Sequence, residues 1–164
     1  ARVGVMKMGD ESLPIDHVLN GVYISGWRAT NFAVALRRHE ITHILKLYEH
    51  TPYFPPDFVT LDNPIEDGVT IPPEKLRRGV EFITHQVSAA HSVLVMCGAG
   101  ISRSSTFVLA YMLEQGYDLH DAYKLLRSVH SEAAPHMLLW GSLFAQYGLK
   151  YTLNDALDWM HDSN

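Results

Sequence analysis

The sequence predicts an α/β fold: a short, mostly parallel central sheet flanked by helices on both faces. Three observations predict it. Short β-type runs alternate along the chain with segments whose apolar residues recur at helical spacing. The run Val93–Met96 is apolar at every position, as a central strand covered on both faces requires. That run passes through a glycine-bearing loop directly into an apolar helix, the unit that places ligands at the carboxyl end of parallel strands. The 164 residues, 47% hydrophobic and 19% charged, suffice for one buried core.

Taken in order, residues 1–14 mix glycine, methionine and charge and read as a loosely held arm. Residues 18–25 contain the alternation Val22-Tyr23-Ile24 between Gly21 and Gly26 and read as an early strand. A short helix over 29–39 carries Phe32, Val34, Ala35 and Leu36. Residues 41–47 read as a buried strand. Residues 48–56 are aromatic and proline-rich, and Pro52, Pro55 and Pro56 forbid regular structure there. That segment is either a rigid connection or a wall for substrate recognition. A strand over 58–61 leads into a loop over 63–68. Pro72 and Pro73 open a helix at its tolerated first turn, and Leu76, Val80, Ile83 and Val87 give it a buried face to about residue 90. The apolar helix over 104–115 stops at Gly116. Asp118 can cap the next helix, which runs to about residue 130. Helices over 137–147 and 151–160 close the chain.

Composition excludes several roles. A formal charge of −5 argues against a general nucleic-acid binder. No apolar run reaches transmembrane length, and no signal-peptide pattern opens the sequence, so no membrane partner is expected. The single cysteine rules out an internal disulfide and fits a reducing, cytoplasmic compartment. His39 and His43 stand four apart, but the helix should end near Glu40, so the rings diverge; with no third ligand at a useful spacing, no metal and no cofactor are assigned. The remaining histidines read as surface or satisfied core residues.

The chemistry concentrates in the stretch Met96-Cys97-Gly98-Ala99-Gly100-Ile101-Ser102-Arg103-Ser104-Ser105-Thr106. A loop of this kind turns successive backbone N–H groups toward one point and makes a concavity for anions. The following helix adds its orphan N–H groups and the positive end of its dipole. Arg103 supplies a planar fork able to hold two phosphate oxygens. Cys97 lies at the bottom of that field, which favours the thiolate, the nucleophilic form. Such an arrangement suits attack on a phosphate ester. A nucleophile of this type needs an acid to protonate the leaving oxygen, and the preceding loop offers Asp62, Glu66 and Asp67.

From Cys97 to Ser104 the sequence closely resembles the signature of the cysteine-dependent dual-specificity protein phosphatases: Cys, any residue, Ala-Gly, any residue, Ser-Arg-Ser. The resemblance extends more weakly over about residues 15–151, and implies a catalytic domain there, with 152–164 as a helical extension. It departs at one point. The family normally has His before the Cys, which hydrogen-bonds the loop backbone; this chain has Met96.

The resemblance implies the site in detail. Cys97 would attack phosphorus, Asp67 would serve as acid and then base, and Ser104 would hydrogen-bond the leaving thiolate. Gly98, Ala99, Gly100, Ile101, Ser102 and Arg103 would hold the phosphate. Relatives that act on inositol phospholipids often carry Lys or Arg at the variable loop positions, which here are Gly98, Ala99 and Ile101. Phosphotyrosine of a protein or peptide is therefore the expected substrate, with phosphoserine and phosphothreonine also admitted. Two alternatives stand beside it: a pseudophosphatase that binds phosphopeptides without turnover, for which Met96 speaks, or a phosphatase for RNA, lipid or carbohydrate phosphates.

Overall fold

The computed structural model describes residues 5–8 and 11–162. Its strands are β1 (Val5–Met8), β2 (Glu11–Leu19), β3 (Val22–Ser25), β4 (His43–Lys46), β5 (Val59–Asp62) and β6 (Val93–Met96). They form one sheet in the order β1-β2-β3-β6-β4-β5. The four strands β3, β6, β4 and β5 run parallel, while β1 and β2 add antiparallel pairings at one edge. A 3₁₀ turn (Trp27–Phe32) leads into α1 (Ala33–Arg38). The other helices are α2 (Pro73–Ser88), α3 (Arg103–Glu114), α4 (Leu119–Val129), α5 (Met137–Tyr147) and α6 (Leu153–His161). Among the described residues, no helix is long and apolar enough to cross a membrane.

Strand β6 sits in the middle and all four of its side chains are buried. Alternation sends them to opposite faces. Val93, Val95 and then Cys97 join a large apolar cluster with residues of α2 through α6, among them Leu76, Phe107, Leu126, Leu143 and Ala156. Leu94 and Met96 join a smaller cluster with Leu13, Ile15, Ala29, Leu36, Ile44 and Phe58. Cys97 thus sits on the side of the sheet that α3 covers, and Met96 on the side that α1 covers.

Two expectations need correction. The arm expected over 1–14 contains, in its described residues, all of β1 and the start of β2. Leu13 and Ile15 are fully buried, which an arm would not allow. Pro14 hid this strand from the sequence pattern, because proline reads as a strand breaker. In the sheet it falls where the β1–β2 register shifts, between the pairs Val5–Asp16 and Met6–Leu13, and owes the ladder no N–H. The single strand expected over 18–25 is in fact a hairpin: Asn20 and Gly21 make a two-residue turn, with Gly21 at φ 78°. Helix α6 arises largely as expected. Thr152 and Asp155 form a reciprocal capping box at its start, and Arg127 Nη1 donates to the carbonyls of Trp159 and Met160 at its end.

Candidate active site

The loop between β6 and α3 stands at the carboxyl end of the central strand. Several of its carbonyls are held by hydrogen bonds. Trp27 N–H donates to Gly98 O at 3.0 Å, and Ala134 N–H to Ile101 O at 3.0 Å. Ser105 Oγ donates to Ile101 O and Thr106 Oγ1 to Ser102 O, at 2.6 and 2.8 Å. Ser102, rather than capping α3 with its side chain, accepts His136 N–H on Oγ at 2.8 Å. Gly100 lies at φ 75°, and a Cβ there would stand 2.6 Å from Gly26 N. Only glycine can make this turn so close to the backbone of the neighbouring strand end.

Inside the loop, Cys97 is buried to 2% exposure, and its Sγ lies 3.3 Å from the Oγ of the fully buried Ser104. The loop closes this contact, because Ser104 is the second residue of α3, directly after it. Arg103 is anchored from behind: Nη1 donates to Ile65 O at 3.0 Å and reaches Leu47 O at 3.5 Å. A Cβ at position 98 would come within 3.2 Å of Arg103 Nη2, so glycine there leaves the fork room. Its Nε is 3.8 Å from Asp67 Oδ1.

The family described as "Dual specificity phosphatase, catalytic domain" matches residues 22–148. The chain belongs to this family. Human dual specificity protein phosphatase 9 is 31% identical over 140 residues, covering 80% of this chain and 35% of that protein. Mouse dual specificity protein phosphatase 22 is 30% identical over 128 residues, covering 75% of this chain and 68% of that one. The chain spans about a third of the length of the former relative and of the fruit-fly phosphatase MPK-4. A solved mouse putative dual specificity phosphatase, in complex with zinc tungstate, superposes with a TM-score of 0.79 at 23% identity, over 87% of this chain and 92% of that one.

Within this dual-specificity frame the three acidic candidates separate. Asp67 alone stands beside Arg103, in a 67% exposed position followed by Gly68 at φ 78°. Asp62 is drawn to Lys46, with Oδ1 3.4 Å from Nζ. Lys46 is fully buried, donates to Tyr48 O at 2.8 Å and lies over the rings of Tyr48 and Tyr53. Glu66 is exposed. Asn63 ties the acidic loop to α2 through Nδ2 donating to Lys75 O at 2.9 Å.

Part of segment 48–56 lines a cavity beside the loop. This cavity, of about 400 Å³, is lined by Tyr48, Glu49, Pro52, Trp27 and Gly98. Pro52 follows a cis peptide bond, and Tyr48 Oη donates to its carbonyl. On the other side of Trp27 a second cavity, about 260 Å³, meets Arg28, Ala99, His130 and Glu132. Trp27 lines both and is 46% exposed; nothing in its sequence neighbourhood marked it.

His39 follows α1, and His43 lies in β4, where its ring stacks on that of His91 with centroids 4.1 Å apart. Burial and the neighbouring His91 hold His43 below the usual histidine pKa. His130 is the histidine whose placement the sequence did not reveal. It is 3% exposed, its Nδ1 is 2.6 Å from Asp16 Oδ2, and its Nε2 is 2.5 Å from Gly100 O. Asp16 and His130 are 114 residues apart, so no local pattern could have joined them.

Proposed function

We propose that this chain hydrolyses phosphomonoesters on proteins, phosphotyrosine first and phosphothreonine or phosphoserine as well, through a cysteinyl-phosphate. The observation that carries this is Cys97 at the floor of the loop, with Arg103 anchored beside it and Asp67 at the rim. Cys97 thiolate attacks phosphorus, forming an S–P bond as the ester P–O bond breaks. Asp67 gives its proton to the departing oxygen. Water then attacks phosphorus, Asp67 takes the water proton, and the S–P bond breaks. Ser104, within hydrogen-bond distance of Sγ, stabilises the departing thiolate. The loop N–H groups of Gly98 to Arg103 and the Arg103 fork hold the equatorial oxygens, and such positioning and charge stabilisation is most of what phosphoryl transfer asks of a protein.

The neutral positions Gly98, Ala99 and Ile101 and the aromatic wall of Trp27 and Tyr48 favour a phosphorylated side chain over a polyanionic lipid headgroup. A lone nucleophilic thiol also needs a reducing setting, for which we infer the cytoplasm.

Turnover on phosphotyrosyl, phosphothreonyl and phosphoinositide substrates tests this, with Cys97→Ser as partner variant. Phosphotyrosyl peptides should be hydrolysed fastest, and Cys97→Ser should lose turnover yet still bind them, because Arg103 and the loop remain. Turnover by Cys97→Ser near the wild-type rate would end the mechanism. Phosphopeptide binding without turnover by the wild type would make this a binding module.

A further inference from the structure

A cradle of inward N–H groups is stable only if each peptide plane is held from turning over. In a trans peptide the C=O and the following N–H point in opposite directions, so a grip on the carbonyl fixes the N–H. Around this loop the Gly98, Ile101 and Ser102 carbonyls receive backbone N–H groups or hydroxyls from Trp27, Ala134, Ser105 and Thr106. The Gly100–Ile101 peptide turns about ψ of Gly100, which glycine, lacking a Cβ, restrains less than any other residue. Its carbonyl meets a ring nitrogen instead: His130 Nε2, at 2.5 Å.

A carbonyl only accepts, so Nε2 must carry the proton. The other ring nitrogen faces Asp16 Oδ2 at 2.6 Å, from strand β2 on the far side of the ring. Glu132 Oε1 lies 3.5 Å from the same nitrogen. Ring, carboxylate and loop carbonyl form one buried line, with His130 3% and Asp16 0% exposed. Met96, by contrast, points into the small apolar cluster on the opposite face and has no side-chain donor to offer.

We propose that His130, oriented by Asp16, is a positioning residue for the phosphate loop: it clamps the Gly100 carbonyl and so keeps the Ile101 N–H turned toward the bound phosphate. This role rests on the phosphatase chemistry proposed above, since it acts through the loop and touches no substrate. The grip is strongest with the ring fully protonated, because both its N–H groups then meet acceptors and the bonds are charge-assisted. Burial works against that charge, but the Asp16 carboxylate, the Gly100 carbonyl and Glu132 outweigh it, and His130 titrates above the ordinary histidine value. Arg28 lines the same cavity. A group with a raised folded-state pKa contributes fully below its unfolded value, about 6.5, and the contribution is lost as pH rises through the folded value. The clamp therefore slackens on the alkaline side.

The test uses the chain's single thiol. Inorganic phosphate should protect Cys97 from iodoacetamide in the wild type. In His130→Ala, protection should need about 10²-fold more phosphate, the scale of a small misplacement in a positioned site, with KM raised as well as kcat lowered on a phosphotyrosyl peptide. His130→Gln keeps an amide donor for Gly100 but does not titrate. It should recover much of the protection near neutral pH and lack the alkaline loss seen in the wild type. A folded His130→Ala protected as well as the wild type, or a His130→Gln with an unchanged alkaline loss, would overturn the clamp. If the alanine variant does not fold, the glutamine profile decides alone. Protection reads binding without turnover. A wild type that is protected but never hydrolyses therefore defeats the phosphatase function and leaves the clamp standing, while active variants with unaltered protection do the reverse.

Discussion

Asp62 and Asp67 differ in the charge each carboxylate meets. Asp67 faces the Arg103 guanidinium that would clamp the phosphate, whereas Asp62 faces the buried Lys46. Asp67→Asn should therefore lower turnover of phenyl and alkyl phosphates by about 10²–10⁴, the usual range for a positioned acid. The loss should shrink for esters with very good leaving groups, which need no proton. Asp62→Asn should instead weaken folding by about 1 kcal/mol, since its carboxylate is half exposed and solvent screens the pair. Rates against leaving-group pKa, with denaturant midpoints for both variants, separate the two; a leaving-group-dependent loss in Asp62→Asn alone would reverse the assignment. Cys97, Arg103 and Ser104 were readable because one loop and the start of α3 fix their mutual distances. Trp27, Lys46 and His130 were not, because tertiary contacts alone give them their surroundings.

At the scale of elements, the crossing of α2 and α3 holds the acidic loop against the phosphate loop. Gly79 makes that crossing close: a Cβ on it would stand 2.4 Å from the ring of the fully buried Phe107 and 3.2 Å from Asn63 Nδ2. Two effects compete in Gly79→Ala. Helix propensity would gain about 1 kcal/mol. Overpacking against a ring that cannot move costs about 1–3 kcal/mol, and the second wins, for a net loss near 1 kcal/mol. Urea unfolding should show a lowered midpoint at unchanged slope; a raised midpoint would mean that the helices can separate freely. The helices themselves were legible from apolar spacing, Pro73 and the Asp118 cap, which accepts Asp121 N–H as expected. The tightness of their crossing was not, since a glycine in a helix pattern carries no sign of what it touches.

For the molecule as a whole, the parallel half of the sheet was visible in the runs around Ile44, Thr60 and Val93: β6 by its unbroken apolar character, and β5, which is mostly exposed, by its β-type residues Val59 and Thr60. The antiparallel edge was not, since Pro14 interrupts the alternation and Asp16 places a carboxylate where a core residue would be expected. That edge bears on how this unit can be cut. The family match begins at residue 22, between the two halves of the β2–β3 hairpin's register and after Asp16. A fragment trimmed to that boundary would retain the nucleophile, the fork, the acid and even His130, and so would look complete on paper. It would have lost the carboxylate that orients the ring beneath Gly100. Comparing residues 22–162 with residues 11–162 in phosphate protection of Cys97 should show the shorter piece weaker, and equal protection would mean the hairpin is dispensable to the loop. Where a boundary is drawn on this chain thus decides whether His130 keeps its carboxylate partner.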